Sequence, residues 1–596
     1  MVRRSVVLVA LIACREEPGV VPSLDASAHP DAAALDAPAP RDAPPSVDAS
    51  PAEDDAGVSG DATADAGPVV CPPAEEYDFT CGGPESCPGG ACVLGLCIGA
   101  RIGTERWDDC GDGVCDRCEA ECPADCAPPL TSTGTMAYEG DRTITVWVHG
   151  FSNKSPEDLE QKVYGADRGC PEILELAGDL VPPAPCGDTL AGSTSPTQWS
   201  SVEYYGGVPE TWMTPDDVRE IERYPWDGTT TLHRYALIVA KFIRHKLDVS
   251  GARHVNVACH SMGCLITRYL VENNILGLGS ERLIVRWFTT SGVLGGARLA
   301  YLYTNPAIQN AAGAIGLELS DFAVMNPDFV AQNAARWDHR LHELNHPYFG
   351  GMLIHNLGGS DPMIREALGI RLLDLGNPED EPNDGIMYTF DELVWSQSED
   401  ASVRVPSGAL VSATHSLVHE YHMKVPDTDA AVVMAAAALF HRRKVFITLE
   451  ELELRTDGES HRAFDGQRGE APAELALESR VEFPYAELVL GRPVIVHEDR
   501  VEFRTAEVMT LSEGSTIQPG LSVFQGPVLD GMDIVRVDAK LEEVDWYPRF
   551  GVRESVIDQS QTLGQLQAEL PLVDGDHDVD TAALRARFRV RVVEMY

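Results

Sequence analysis

From residue 143 onward, apolar positions fall into short runs and periodic stretches whose character changes once more near residue 441. Between 143 and 440, runs that read as buried strands (143–148, 201–205, 253–258, 283–290, 351–357) alternate with helical periods (229–247, 262–272 and the Ala-rich 427–440). Such alternation predicts an α/β domain around a mainly parallel sheet. After His441 the segments 444–454, 474–483, 494–504, 534–544 and 583–595 are β-rich and often alternate with period two, so an antiparallel β-sandwich is expected.

The first 129 residues follow other rules. Arg3 and Arg4 precede a short apolar run, 5–13, and Cys14 follows at once. That order is an export signal, too short to span a bilayer. Leu11-Ile-Ala-Cys14 resembles the lipobox of bacterial lipoproteins, which implies a signal peptide over 1–13, acylation of Cys14 and a membrane anchor. Residues 14–70 are rich in Ala, Asp and Pro and cannot bury enough surface to fold, so a disordered tether is expected. Ten cysteines crowd 71–129: Cys71, Cys81, Cys87, Cys92, Cys97, Cys110, Cys115, Cys118, Cys122 and Cys126. Their even number behind an export signal predicts a disulfide module, with zinc at Cys115-x-x-Cys118 as the competing reading. The expected domains are therefore 1–13, 14–70, 71–129, 130–440 and 441–596 of the 596 residues. The formal charge of −47 argues against nucleic acid as a partner and names no function.

Candidate chemistry gathers around Ser261. Cys259-His-Ser-Met-Gly263 stands between a predicted strand and a predicted helix. A serine there sits on a sharp turn that lifts its hydroxyl to the top of the sheet, and such a turn needs small flanking residues. The helix beneath it offers backbone N–H groups and a positive dipole end to a developing oxyanion. Upstream, Thr145-Val-Trp-Val-His-Gly-Phe151 is a strand ending in a turn that Gly150 permits.

Both segments resemble α/β-hydrolase lipases and esterases, 254–270 matching the nucleophile elbow and 145–151 the oxyanion turn. The resemblance implies an α/β-hydrolase fold, Ser261 as nucleophile, and the N–H groups of Phe151 and Met262 as oxyanion donors. Cys259 departs from the pattern by replacing its first Gly. An acid and a histidine should follow in chain order. Asp384, in Asn383-Asp-Gly-Ile-Met387, resembles the turn that carries the acid in bacterial lipases, and Asp361, after a predicted strand, is the alternative acid. His422-Met-Lys-Val-Pro426 resembles the loop that presents the histidine, with His419 as the alternative base and His415 a third candidate. The resulting expectation is an extracytoplasmic serine esterase or lipase acting on lipid or other apolar acyl esters. It needs no cofactor and no catalytic metal, and any Ca²⁺ would be structural.

Rival signals remain. A catalytically inactive hydrolase fold serving as a binding or adhesion lipoprotein is the alternative function. His342-Glu-Leu-Asn-His346 matches the zinc-protease pattern, but Pro347 should end its helix at the second His. The acidic run 574–580 suggests a Ca²⁺ loop but lacks the Gly and Glu of an EF-hand, so a solvated turn is expected. Cys259 and Cys264 read as buried structural cysteines, with a thiol or bridge beside the site as the alternative. Cys170 and Cys186 are expected to pair. Tyr204, Tyr205, Trp212, Tyr224 and Trp226 read as packing at the sheet edge, or as an acyl pocket.

Overall fold

The computed structural model describes residues 143–151, 169–178, 199–204, 211–224, 231–279, 281–297, 352–361, 383–387, 389–392, 413–455, 474–504, 514–543 and 561–594. Shorter described pieces are 91–93, 96–98, 324–326, 546–549, 552–555 and the positions 300 and 330. The predicted signal peptide, Cys14, the tether, Cys186 and the His342–His346 pair lie outside these residues. Of the Cys-rich segment, only two strands are described, β1 (Ala91–Val93) and β2 (Leu96–Ile98), which pair antiparallel.

Six strands form a wholly parallel sheet. In chain order the elements are β3 (Thr143–Val148), α1 (Gly169–Ala177), β4 (Trp199–Val202), α2 (Pro215–Ile221), α3 (Thr231–Ser250), β5 (His254–His260), α4 (Met262–Glu272), β6 (Ile284–Thr290), β7 (Leu353–Gly359), β8 (Ala413–Val418) and α5 (Asp429–Phe440). The sheet order is β4-β3-β5-β6-β7-β8. Its strands are buried on both faces, which is why they read as continuous apolar runs rather than alternations. Helices α3 and α4 share one hydrophobic core with the sheet through Tyr235, Val239, Phe242, Leu265 and Ile266 against Val146, Val148, Val255 and Val257. The chain adds β4 on one side of β3 and then crosses to β5 on the other. This reversal of strand order puts the switch point of the sheet at the carboxyl ends of β3 and β5, where sites in such folds are built.

The remaining strands build two larger antiparallel sheets and a separate antiparallel pair, β15 (Trp546–Arg549) with β16 (Val552–Ser555). One larger sheet has the order β11-β10-β14-β17 (Val494–Arg504, Glu474–Phe483, Ile534–Glu543, Gln561–Pro571). The other joins β9 (Arg443–Leu454) to β19 (Leu584–Glu594) and β18 (Gly575–Asp580) on one side, and to β12 (Thr516–Ile517) and β13 (Leu521–Val528) on the other. Their inward residues share a core with α5 and with Trp147, Phe288 and Leu357 of the parallel sheet. Helix α5 explains the continuity. Every residue from Ala430 to Phe440 is buried, and a helix apolar on all sides must be covered on all sides. The buried Arg286 of β6 closes its C-terminus by donating from Nη1 to the carbonyls of Ala438 (2.8 Å) and His441 (2.7 Å). Burial lowers this guanidinium to about 9, and carbonyls at a helix C-terminus suit a cation.

Two local expectations change. The acidic run 574–580 is not a turn: residues 575–580 form β18, whose carboxylates meet the arginines of β19. Asp576 pairs with Arg589, and Asp578 with Arg585 and Arg587. The strand expected at 201–205 starts two residues earlier and ends three earlier, at Trp199–Val202, which leaves Tyr204 beyond its end.

Two buried histidines, His355 and His497, and the half-buried His415 sit where β8 meets the antiparallel strands. Gln525 donates to His415 Nδ1 (3.0 Å), Leu417 N–H donates to His497 Nδ1 (3.1 Å), and His355 bonds Thr414 and Ser416. The His497 bond also occupies an amide on the edge strand of the parallel sheet. Burial pushes His415 down to about 4, and burial with His415 nearby pushes His497 to about 3. His355 is held well below its usual range, by burial and then by Lys444. Unfolded histidines protonate near pH 6.5. The unfolded chain therefore takes up protons first as pH drops below that value, and stability falls through about pH 4, where His415 titrates, to about pH 3, where His497 does. Thermal melts should show Tm falling by about 5–10 °C between pH 7 and pH 5, and a flat Tm would contradict the burial of these rings.

Candidate active site

Ser261 occupies the turn between β5 and α4 with φ 51° and ψ −127°, a left-handed-side conformation that a non-glycine residue rarely adopts. It is the N-cap of α4, yet its side chain caps nothing. Its hydroxyl instead donates to His422 Nε2 at 2.9 Å. The turn is tight because the flanking positions are small. A Cβ on Gly263 would come within 2.3 Å of the Val148 and His149 carbonyls, and one on Gly150 within 2.8 Å of Ser261 Cβ. The His149-Gly150 turn of β3 therefore lies directly against the serine. Cys259, in the place of the first Gly, is disulfide-bonded to Cys264, so the bridge straddles Ser261 from the end of β5 to the first turn of α4. Trp287 Nε1 donates to the Cys259 sulfur at 3.1 Å. Cys170 is also disulfide-bonded.

His422 follows β8 in a turn that leads through Val425–Asp427 into α5. Its Nδ1 donates to Asp384 Oδ2 at 2.5 Å, and its backbone N–H donates to the Asp384 carbonyl at 2.9 Å. Asp384 is fully buried, and its other oxygen, Oδ1, accepts from the N–H groups of Ile386 (3.0 Å) and Met387 (2.8 Å). Those two amides aim one carboxylate oxygen at the histidine and fix the imidazole with its proton on Nδ1. Nε2 is then an acceptor for the serine. The result is a continuous chain, Ser261 Oγ–His422–Asp384, buried at every member.

The alternative residues stand elsewhere. Asp361 follows β7 and donates its backbone N–H to the Glu420 carbonyl. His419 is exposed and His415 is committed to Gln525. Asp384 nevertheless reaches the end of β7, the position that made Asp361 plausible, because Gly359 leaves room for it. A Cβ there would meet Asp384 Cβ at 2.8 Å.

Two ionisable neighbours had no part in the sequence reading. His260 donates from Nε2 to the His422 carbonyl at 3.3 Å, and its ring lies 5.0 Å from that of His422. Burial, with His422 beside it, drives its pKa well below the usual range, so it stays neutral next to the site. Glu392, from the one-turn helix Thr389–Glu392, accepts from Gly359 N–H at 3.0 Å and lies against Asp384 and Ser291. Burial first, and the Asp384 charge second, raise its carboxyl well above the usual range. Two adjoining buried carboxyls cannot both ionise cheaply, so Glu392 is the protonated partner. Neither role could be found without the fold that brings 392 beside 384.

No family model matches the chain, and no curated protein matches it either. Solved structures do. The mature Bacillus licheniformis lipase BlEst2 is 14% identical with a TM-score of 0.28, covering 48% of this chain and 87% of its own. Phospholipase PlaB from Legionella pneumophila is 11% identical with a TM-score of 0.32, covering 72% and 90%. The metagenomic carboxyl esterase MGS0156 is 13% identical with a TM-score of 0.28, covering 47% and 65%. Likenesses of this size do not carry an activity over to this chain.

Proposed function

We propose that the protein is a serine hydrolase of carboxylic esters, with Ser261 as nucleophile, His422 as general base and acid, and Asp384 as the orienting carboxylate. The observation that carries this reading is the hydrogen-bond chain from Ser261 Oγ through both nitrogens of His422 to Asp384 Oδ2. It starts on a positive-φ serine at a strand-to-helix turn. The ester carbonyl would sit over Ser261, its developing oxyanion facing the N–H groups of Phe151 and Met262. His422 Nε2 takes the Ser261 proton as Oγ attacks, and the imidazolium is stabilised by Asp384. The same Nε2–H then protonates the departing alcohol. Water repeats the sequence on the acyl-enzyme, returning the carboxylic acid and free Ser261. No step calls on a cofactor. Lipid or other apolar acyl esters are the substrate class the sequence resemblance implies. The export signal and Cys14 would place this chemistry outside the cytoplasm, at a membrane.

Incubating the full chain with a fluorophosphonate and mapping the adduct by mass spectrometry tests the reading. A single phosphonylated peptide carrying Ser261, together with turnover of p-nitrophenyl esters, is expected. A folded protein that takes no label and cleaves no ester would transfer the function to binding or adhesion.

A further inference from the structure

The peptide between Gly150 and Phe151 is held from one side by groups that have no role in proton transfer. The Gly150 carbonyl accepts from His149 Nδ1–H at 2.8 Å and from the Tyr204 hydroxyl at 3.1 Å. The hydroxyl has one proton, shared in a bifurcated bond whose shorter arm, 2.6 Å, reaches the His149 carbonyl. Tyr204 is buried, its ring stacked on the His149 ring at 4.3 Å and 11° and tilted against Tyr235 at 5.1 Å. Its position follows from the sheet. Strand β4 runs parallel to β3 with Val202 opposite Val148, so Tyr204, two residues on, reaches the turn that follows β3.

A trans peptide is planar, and its C=O and N–H point in opposite directions. Anchoring the Gly150 carbonyl on the Tyr204 and His149 side turns the Phe151 N–H to the other side. Glycine at 150 would otherwise let this peptide flip at little cost, and Gly150 packs directly on Ser261. We propose that Tyr204 is a positioning residue of the oxyanion hole: with His149, it locks the Gly150–Phe151 peptide so that the Phe151 N–H faces the oxyanion. This assignment rests on the ester-hydrolase reading.

The test is Tyr204→Phe in the full chain, which keeps the stacked ring and removes the hydroxyl. Loss of one oxyanion donor outright costs about 10²–10³ in kcat. Loosening its support should lower kcat per fluorophosphonate-titrated site by about 10–100-fold, with KM within about threefold. Binding of a trifluoromethyl ketone transition-state analogue should weaken by a similar factor. A merely structural tyrosine would lower Tm and the titrated fraction but leave kcat per site untouched, and that result overturns the proposal. If Tyr204→Phe does not fold, His149→Leu, which removes the other donor to the Gly150 carbonyl, should show the same split between kcat and KM. Unchanged kcat per site there is equally fatal. A wild-type protein that cleaves no ester instead marks failure of the hydrolase reading, whereas active wild type with an equally active Tyr204→Phe variant removes only the positioning role.

Discussion

Asp384→Asn should lower kcat/KM for a p-nitrophenyl ester by about 10⁴-fold, while Asp361→Asn stays within about twofold of wild type. The size follows from the hydrogen bonds of the carboxylate. Oδ1 is fixed by the N–H groups of Ile386 and Met387, so an asparagine must keep its carbonyl oxygen there. Its NH₂ then faces His422 Nδ1, where Asp384 Oδ2 had accepted at 2.5 Å. Two donors cannot face each other, so the imidazole proton moves to Nε2. There it meets the Ser261 hydroxyl, 2.9 Å away, with no lone pair to receive its proton. Shape is preserved while the tautomer is reversed, so the variant should fold and melt near the wild type. Ser261→Ala should cost at least as much, and the double variant no more than the worse single, because the groups act as a unit. Steady-state kinetics on the four variants beside the wild type decides the matter: loss in Asp361→Asn with activity kept in Asp384→Asn would reassign the acid.

Much of this site was legible because its parts are local in sequence. A strand, a small-residue turn and a helix within 254–272 leave a serine few places to be, and Met262–Glu272 forms the helix over the expected residues. Parts that depend on distant strands were not legible. Ala413-Thr-His-Ser-Leu-Val418 carries too many polar residues to read as a buried strand, yet its Thr, Ser and His are satisfied by His355, Gln525 and each other's neighbours across β7 and β13. The Asp-x-Asp-x-Asp run resembled a loop because its partner, Arg585-x-Arg-x-Arg589, only becomes adjacent once the hairpin closes. That alternation of opposite charges at equal spacing was the signal available. In the sequence Tyr204 reads as packing at the sheet edge or as part of an acyl pocket, and nothing local shows that its hydroxyl reaches two carbonyls some 55 residues upstream.

Ending the chain at residue 440 should abolish soluble, folded hydrolase rather than release a free catalytic domain. The amphipathic pattern does change at 441, but the core does not stop there. Helix α5 has no polar face: Val432, Val433, Met434 and Leu439 are all buried, within a cluster that also holds Phe288 and Leu357 of the parallel sheet and Val523 and Phe524 of β13. Deletion would bare one side of a helix with no residue suited to water, and each large apolar side chain returned to solvent costs about 1.5–3 kcal/mol. A handful of such losses equals the whole stability of an ordinary domain, about 5–15 kcal/mol. The polar seam would be cut as well. His441 Nε2 donates to the Leu176 carbonyl while its Nδ1 accepts from Asp530 N–H, and Leu417 N–H would lose His497 on an edge strand. His422 sits between β8 and α5, the two elements left uncovered, so the site should fail with them. Expression of residues 1–440 beside the full chain, followed by fluorophosphonate labelling of the soluble fractions, measures this directly. Soluble 1–440 that labels like the full chain would mean that the antiparallel sheets cover α5 without supporting it.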